Sequence, residues 1–167
     1  TLYFSDNVAI RFRKITPDGI ITSFFGMGGQ AGIGDAGDGG PALQAKFTGL
    51  LVAVGPDGSV YTQQPNSVPP NFGKTGWRFR KIGTDGIVRT IAGTTDGFCS
   101  FGPSFPPSPA CEENVPAFGT RLESVAALEV HSDGTLYFPS SRFFPTVWKI
   151  GTDGILRRIA GRTTYVD

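Results

Sequence analysis

The sequence predicts an all-β array of small four-stranded antiparallel sheets, and three observations carry that prediction. A pattern recurs almost intact, as RFRKITPDGIITSFFG over Arg11 to Gly26, RFRKIGTDGIVRTIAG over Arg78 to Gly93, and TVWKIGTDGILRRIAG over Thr146 to Gly161. Its closing glycines are 67 and 68 residues apart, so each unit is far longer than a hairpin and long enough for a small sheet. Within each unit, short runs rich in β-branched and aromatic residues are separated by turn residues. The third observation is composition. The 167 residues include 24 glycines and 13 prolines, too many for a helical protein, and 39% hydrophobic content suits a globular chain. No apolar run approaches the roughly 20 residues of a membrane-spanning helix.

Four strands, a to d, can be read in the second unit: about Leu50 to Val54, Ser59 to Gln63, Trp77 to Ile82 and Ile87 to Ala92. The third unit gives Val125 to Val130, Thr135 to Phe138, Thr146 to Ile150 and Ile155 to Ala160. In the first unit Thr1-Leu2-Tyr3 aligns with Ser59-Val60-Tyr61, so only b, c and d are expected there. Strands a and b are joined by Pro56-Asp57-Gly58 or Ser132-Asp133-Gly134. Strands c and d are joined by Pro17-Asp18-Gly19, Thr84-Asp85-Gly86 or Thr152-Asp153-Gly154. Asp-Gly marks a tight turn, because glycine adopts positive φ without steric cost. The b to c loops and d to a linkers differ in length and composition between copies, as Gln64 to Gly76 and Pro139 to Pro145 show. An antiparallel meander therefore gathers the tight turns at one end of each sheet and all the variable sequence at the other.

Tandem four-stranded antiparallel units suggest the blades of a β-propeller. Gly37-Asp38-Gly39-Gly40-Pro41-Ala42, the run Val52 to Tyr61, Arg78-Phe79-Arg80-Lys81-Ile82 and the run Ile87 to Gly93 resemble NHL repeats. The resemblance is strongest to the glycine-rich version found in bacterial surface proteins and in teneurin and Rhs-type propellers. It implies a partial blade over 1–26, a second blade with a glycine-rich linker over 27–93, a third with a Cys/Pro-rich linker over 94–161, and the start of another linker over 162–167. The third copy departs from the pattern: Asn114-Val115-Pro116-Ala117 stands for Gly-Gly-Pro-Ala, and Trp148 stands where Arg80 does. A closed six-bladed wheel of this unit needs about 400 residues, so closure calls for more chain or further copies.

Several functional classes find little support. A net charge of +1 provides no general attraction to nucleic acid or to an anionic membrane. The opening TLYFSD does not read as a leader, so any secretion signal is expected to lie outside this segment or to have been removed. Gly32-Ile33-Gly34-Asp35-Ala36-Gly37 matches G-x-G-x-x-G, with Asp57 twenty residues on. However, Pro41 to Phe47 allows at most two helical turns, and Asp57 has a hairpin counterpart in Asp133. Asp35 and Asp38 are weak calcium candidates, set against a plain glycine-rich turn. No cofactor is expected. The single histidine, His131, sits in a tight turn, and no catalytic residues can be named. A propeller lyase or hydrolase remains an alternative, with its ligands supplied by other blades.

Cys99 and Cys111 fall in one proline-rich linker, which favours a mutual disulfide and an oxidising, extracellular or cell-surface location over two reduced thiols. Arg11, Arg13 and Lys14 recur as Arg78, Arg80 and Lys81; equivalent blade positions spread these charges around a wheel, so their stems are expected to pack between blades. Aromatic residues mark the variable end: Phe72 and Trp77 near one b to c loop, Phe143 and Phe144 in another, and Phe98, Phe101 and Phe105 in the Cys-rich linker. They suggest a partner surface, with private packing under the loops as the alternative. The resulting expectation is a non-enzymatic extracellular scaffold or protein-interaction module. Its partner is a protein, further blades or copies of itself, or a carbohydrate, without nucleic acid or membrane insertion. A subunit of an extracellular filament is the second alternative.

Overall fold

Alternation along strands b and c gives each repeat two usable faces. Val60, Thr62 and Gln64 point one way and Tyr61 and Gln63 the other, and all five are buried because both faces of this sheet are covered. The computed structural model describes residues 1–29, 36–47, 51–65, 77–94, 113–122, 125–140 and 146–161. Among them there is no α-helix, and the strands form three antiparallel sheets.

The first sheet has the order β1 (Leu2–Asp6), β2 (Arg11–Ile15), β3 (Ile21–Phe25). The second runs β4 (Leu51–Val54), β5 (Val60–Pro65), β6 (Trp77–Ile82), β7 (Val88–Gly93). In the third, β8 (Val115–Pro116) lies beside β12 (Ile155–Gly161), followed by β11 (Thr146–Ile150), β10 (Leu136–Ser140) and β9 (Glu129–Val130). The registers coincide across the repeats: Tyr3 faces Lys14, Tyr61 faces Lys81, and Tyr137 faces Lys149. A bulge also recurs at one place, between Phe12 and Arg13, Phe79 and Arg80, and Val147 and Trp148.

The five Asp-Gly turns share one geometry. In the second unit Gly58 N donates to Gly55 O at 2.9 Å and Gly55 N donates to Ser59 O at 2.8 Å, with Gly58 at φ 81°. This is a type I turn closed by a left-handed glycine. The same paired bonds close the turns at Thr16–Ile20, Gly83–Ile87, His131–Thr135 and Gly151–Ile155. The aspartate braces the turn from inside, since Asp57 Oδ1 accepts from Ser59 N, Asp85 Oδ1 from Ile87 N, Asp133 Oδ1 from Thr135 N and Asp153 Oδ1 from Ile155 N.

Each linker is stitched to two units. Gly26 N, at the end of the first sheet, donates to Ala42 O, while Ala42 N donates to Gly86 O and Gly39 N to Val88 O in the second. The next linker repeats this: Gly93 N donates to Ala117 O, Ala117 N to Gly154 O and Asn114 N to Leu156 O. Asn114-Val115-Pro116-Ala117 thus occupies the place of Gly39-Gly40-Pro41-Ala42 despite the changed residues. Asn114 takes φ 60° where Gly39 takes 78°, and asparagine is among the few side chains that tolerate this region. The closing glycine is less replaceable. Gly93 sits at φ 90°, and a Cβ there would lie 2.0 Å from Trp77 O.

Two buried clusters lie between the sheets. One joins Phe12 and Phe25 of the first sheet to Val60, Ile82 and Val88 of the second, with Ala42, Ala45 and Phe47 of the linker filling the gap. The other joins Tyr61, Phe79 and Ala92 of the second to Leu136, Phe138, Trp148, Ile150 and Leu156 of the third, with Ala117, Leu122 and Val125 between. Among the described residues both buried clusters are shared between sheets, as expected for an array.

Some boundaries differ from the sequence reading. Strand a of the third unit shrinks from Val125–Val130 to Glu129–Val130, because Val125 N donates to Gln63 Oε1 of the second sheet and Val125 and Leu128 are used in the core between sheets. Strand β8, read as linker, is an added edge strand on β12. Strands b run two residues further than expected, to Pro65 and Ser140. The segment Pro41 to Phe47 holds only a 3₁₀ turn, Ala42–Gln44, which removes the helix a dinucleotide fingerprint needs.

Candidate binding surfaces

The tight-turn end carries a groove of about 530 Å³ at the junction of the second and third sheets. Its floor is apolar, formed by Ile91, Leu136 and Ile150, and its rim carries Asp57, Lys81, Ser132, Asp133 and Thr152. The turns position these groups: Asp57 and Asp133 sit at equivalent points of successive a–b turns, so the groove has an acidic residue from each neighbouring unit. Lys81 Nζ donates to Asp57 Oδ2 at 3.0 Å and stands 5.3 Å from the centre of the Tyr61 ring.

The electrostatics of this end follow from the turn geometry. The backbone N–H of Ser59 and then the Lys81 ammonium hold the Asp57 carboxyl down at about 2. The Thr135 N–H and its side chain, with His131, do the same for Asp133, also at about 2. Asp153 reaches about 2 chiefly through the Arg157 guanidinium and then the Ile155 N–H. Asp85 is lowered by the Arg89 guanidinium and the Ile87 N–H. All four are ionised at neutral pH and already bonded, so the turn end is a braced polar rim. His131 is an exposed member of that rim, 3.1 Å from Asp133 Oδ1.

A second polar arrangement lies between the first and second sheets, and the sequence reading anticipated only its outline. Arg80 is fully buried. It donates from Nη1 to Gln64 Oε1 at 2.8 Å and to Lys46 O at 3.3 Å; its Nη2 lies 3.5 Å from Asp38 Oδ1, and its guanidinium 5.7 Å from the Phe25 ring centre. Asp38 Oδ1 also accepts from Thr90 Oγ1 at 3.1 Å. One of the two calcium candidates therefore ties the glycine-rich linker to Arg80 and Thr90. Beside it a small recess of about 200 Å³ is lined by Asp38, Arg78, Thr90, Gly93, Thr94, Phe118 and Gly119. Among the described residues no group of three or more His, Cys, Asp or Glu side chains could hold a metal ion.

Of the aromatic residues expected at the variable end, Trp77 is described: it is partly buried and packs against the cluster between the second and third sheets. Phe72, Phe98, Phe101, Phe105, Phe143 and Phe144 lie outside the described residues, as do Cys99, Cys111 and Asp35. The groove at the turn end left no local signal in the sequence, because its residues come from separate turns of two units. Only aligning the repeats and asking which turns become neighbours could have found it. Comparison with known proteins finds no family model and no curated protein that matches the chain.

Proposed function

We propose that the chain is a non-enzymatic extracellular scaffold and protein-interaction module whose three sheets are blades of an NHL-type β-propeller. The observation that carries this reading is the sameness of the two junctions. Each sheet meets the next in the same sense, through a linker bonded to both, and β4 is the strand that comes near both β1 and β9. Sheets that come together at β1, β4 and β9 and are bridged by linkers at their last strands support a radial, blade-like reading. A constant framework with variable b–c loops and linkers assigns recognition to those loops and rigidity to the turns. The extracellular placement rests on Cys99 and Cys111 sharing one linker.

Site-specific photo-crosslinking tests the division of labour between the two ends. Crosslinkers at Phe72 and Phe143 are expected to capture a protein partner in extracellular material, while crosslinkers at Asp57 and Asp153 stay silent. Capture from the turn positions alone overturns the assignment of faces. Two reactive thiols in the denatured, unreduced protein overturn the extracellular placement.

A further inference from the structure

The recess beside Asp38 exists in the second unit because one side chain there is short. Thr90 and Arg158 are counterparts, since Thr90 pairs with Arg80 and Arg158 with Trp148. Asp38 and Glu113 are counterparts too, each preceding a linker residue at positive φ, Gly39 or Asn114. In the third unit the long Arg158 spans from the acid to the end of strand d: its Nη2 pairs with Glu113 Oε1 at 2.5 Å and its Nη1 donates to Gly161 O at 3.2 Å. In the second unit Thr90 meets the equivalent acid with a hydroxyl, donating to Asp38 Oδ1 at 3.1 Å, and a recess of about 200 Å³ is left. It lies inside the array. Asp38 comes from the linker before the second sheet, Phe118 and Gly119 from the linker after it, and Arg78, Thr90 and Gly93 from β6 and β7. Phe118 is 67% exposed and Leu43, its counterpart in the other linker, 52%, so this position faces outward at both junctions.

The lining sets an apolar wall beside hydrogen-bonding groups of both kinds. Phe118 supplies the wall, the Asp38 carboxylate accepts, the buried Arg78 guanidinium donates, and the hydroxyls of Thr90 and Thr94 do either. Asp38 and Arg78 oppose each other in sign, and Arg80, the further partner of Asp38, is fully buried and outside the lining. Neither an anion nor a cation therefore meets a wall of one charge. We propose that this recess binds a neutral sugar ring, whose hydroxyls donate and accept among Asp38, Arg78 and the threonines while its C–H face lies on Phe118. A space of about 200 Å³ holds one ring and not a chain of rings. The site belongs to the variable end, where β6 begins and β7 ends, yet it needs only the second unit and its two linkers. It stands or falls apart from the propeller and from any protein partner.

Saturation-transfer NMR on the 167-residue chain tests this with millimolar glucose, galactose, mannose and N-acetylglucosamine, and with glucosamine and glucuronate as charged counterparts. At least one neutral sugar is expected to receive saturation, and the charged sugars to receive less. Thr90→Arg rebuilds the arrangement of the third unit inside the recess and should abolish the signal. Phe118→Ala should weaken the affinity about tenfold, while Leu43→Ala, at the equivalent place in the other linker, should leave it unchanged. Circular dichroism checks that each variant keeps its sheets; Phe118 is exposed, so Phe118→Ala carries the decision if Thr90→Arg loses its fold. The proposal is overturned if no neutral sugar binds, if glucosamine or glucuronate binds best, or if the signal survives undiminished in a folded Thr90→Arg or Phe118→Ala chain. Capping the anomeric hydroxyl of the bound sugar as a methyl glycoside then identifies its source: retained binding supports the end of a glycan, and lost binding supports a free monosaccharide.

Discussion

The two junctions between sheets have one backbone plan and opposite chemistry. Between the first and second sheets, Phe12, Phe25 and Phe47 stack beside a buried Arg80 held by Gln64, Lys46 O and Asp38. Between the second and third, the position of Arg80 is taken by Trp148, whose Nε1 donates to Thr146 Oγ1 at 2.9 Å, and Phe79 meets Phe138 edge to face at 4.8 Å. A repeat position facing a neighbour can thus be filled by a guanidinium bonded to a side-chain amide and a backbone carbonyl or by an indole bonded to a hydroxyl. The backbone conserves the approach of the sheets, while the side chains individualise which sheet follows which. The polar junction is also the one whose glycine-rich linker must supply an acid and a carbonyl; the apolar one asks only for volume.

The largest expected effect comes from the apolar junction. Phe79→Ala removes a fully buried ring shared by the second and third sheets and should destabilise the chain by about 4 kcal/mol. Phe12→Ala should cost a similar amount at the polar junction, because that ring also stacks on Phe25 and Phe47. Urea unfolding measures both. A loss below about 1 kcal/mol for either means that the cluster around it relaxes to fill the space.

Next comes Arg80. Arg80→Met leaves Gln64 Oε1 facing an apolar group and Asp38 without its buried partner, with an expected loss of about 3 kcal/mol. Adding Gln64→Leu removes one orphaned group and makes this junction more apolar, as its neighbour is. The double variant should recover most of the loss, since a well-packed apolar replacement for a buried charged network is often close to neutral. A double-mutant cycle by chemical denaturation reads this directly. Additive losses at the two positions would show that Arg80 draws its stability from groups other than Gln64.

The contrast between junctions also marks what the sequence could reveal. Strands Trp77–Ile82 and Thr146–Ile150 were legible to the residue, and all five turns were, because alternation and Asp-Gly are local signals. The burial of Arg80 was legible only through the repeat, which made a convergent basic patch improbable and packing between blades the better reading. Strand β8 was not legible: two residues with a proline carry no strand pattern, and it forms because Asn114 N donates to Leu156 O on β12 and Ala117 N to Gly154 O in the turn before it. The shortened strand a of the third unit was misread for a related reason. Val125 and Leu128 are apolar for the sake of the neighbouring sheet, and their pattern cannot show where the N–H groups go. The groove at the turn end depends on which turns become neighbours in space, which no single stretch encodes.

A smaller effect distinguishes the linkers. Asn114→Ala should cost about 1 kcal/mol, because alanine is strained at φ 60° and asparagine is not, while Asn114→Gly should be neutral or slightly stabilising. Gly39→Asn in the other linker should be tolerated, since the two positions make the same bond to strand d. Thermal denaturation of the three variants orders them. Gly39→Asn falling below Asn114→Ala would mean that the linkers are not equivalent after all.

The smallest effect is electrostatic and sits in the Asp-Gly turns of the second and third units. Asp57, Asp133 and Asp153 titrate at about 2 in the folded chain against an ordinary 3.8. A carboxylate whose folded value is depressed contributes stability that is fully present above its unfolded value and is lost as pH falls through the folded one. The window is therefore pH 4 down to 2, with no change expected between pH 5 and 7 from these groups. All three are well exposed, so each contribution is modest and screened by salt. The melting temperature should fall as pH drops through that window, and a chain carrying Asp57→Asn, Asp133→Asn and Asp153→Asn should show a shallower fall. Asparagine keeps an acceptor for the N–H two residues on, so the turn survives while the charge is gone. If the triple variant follows the parent across the window, the bracing of these turns is a matter of hydrogen-bond geometry and the ionic contacts to Lys81 and Arg157 add nothing to it.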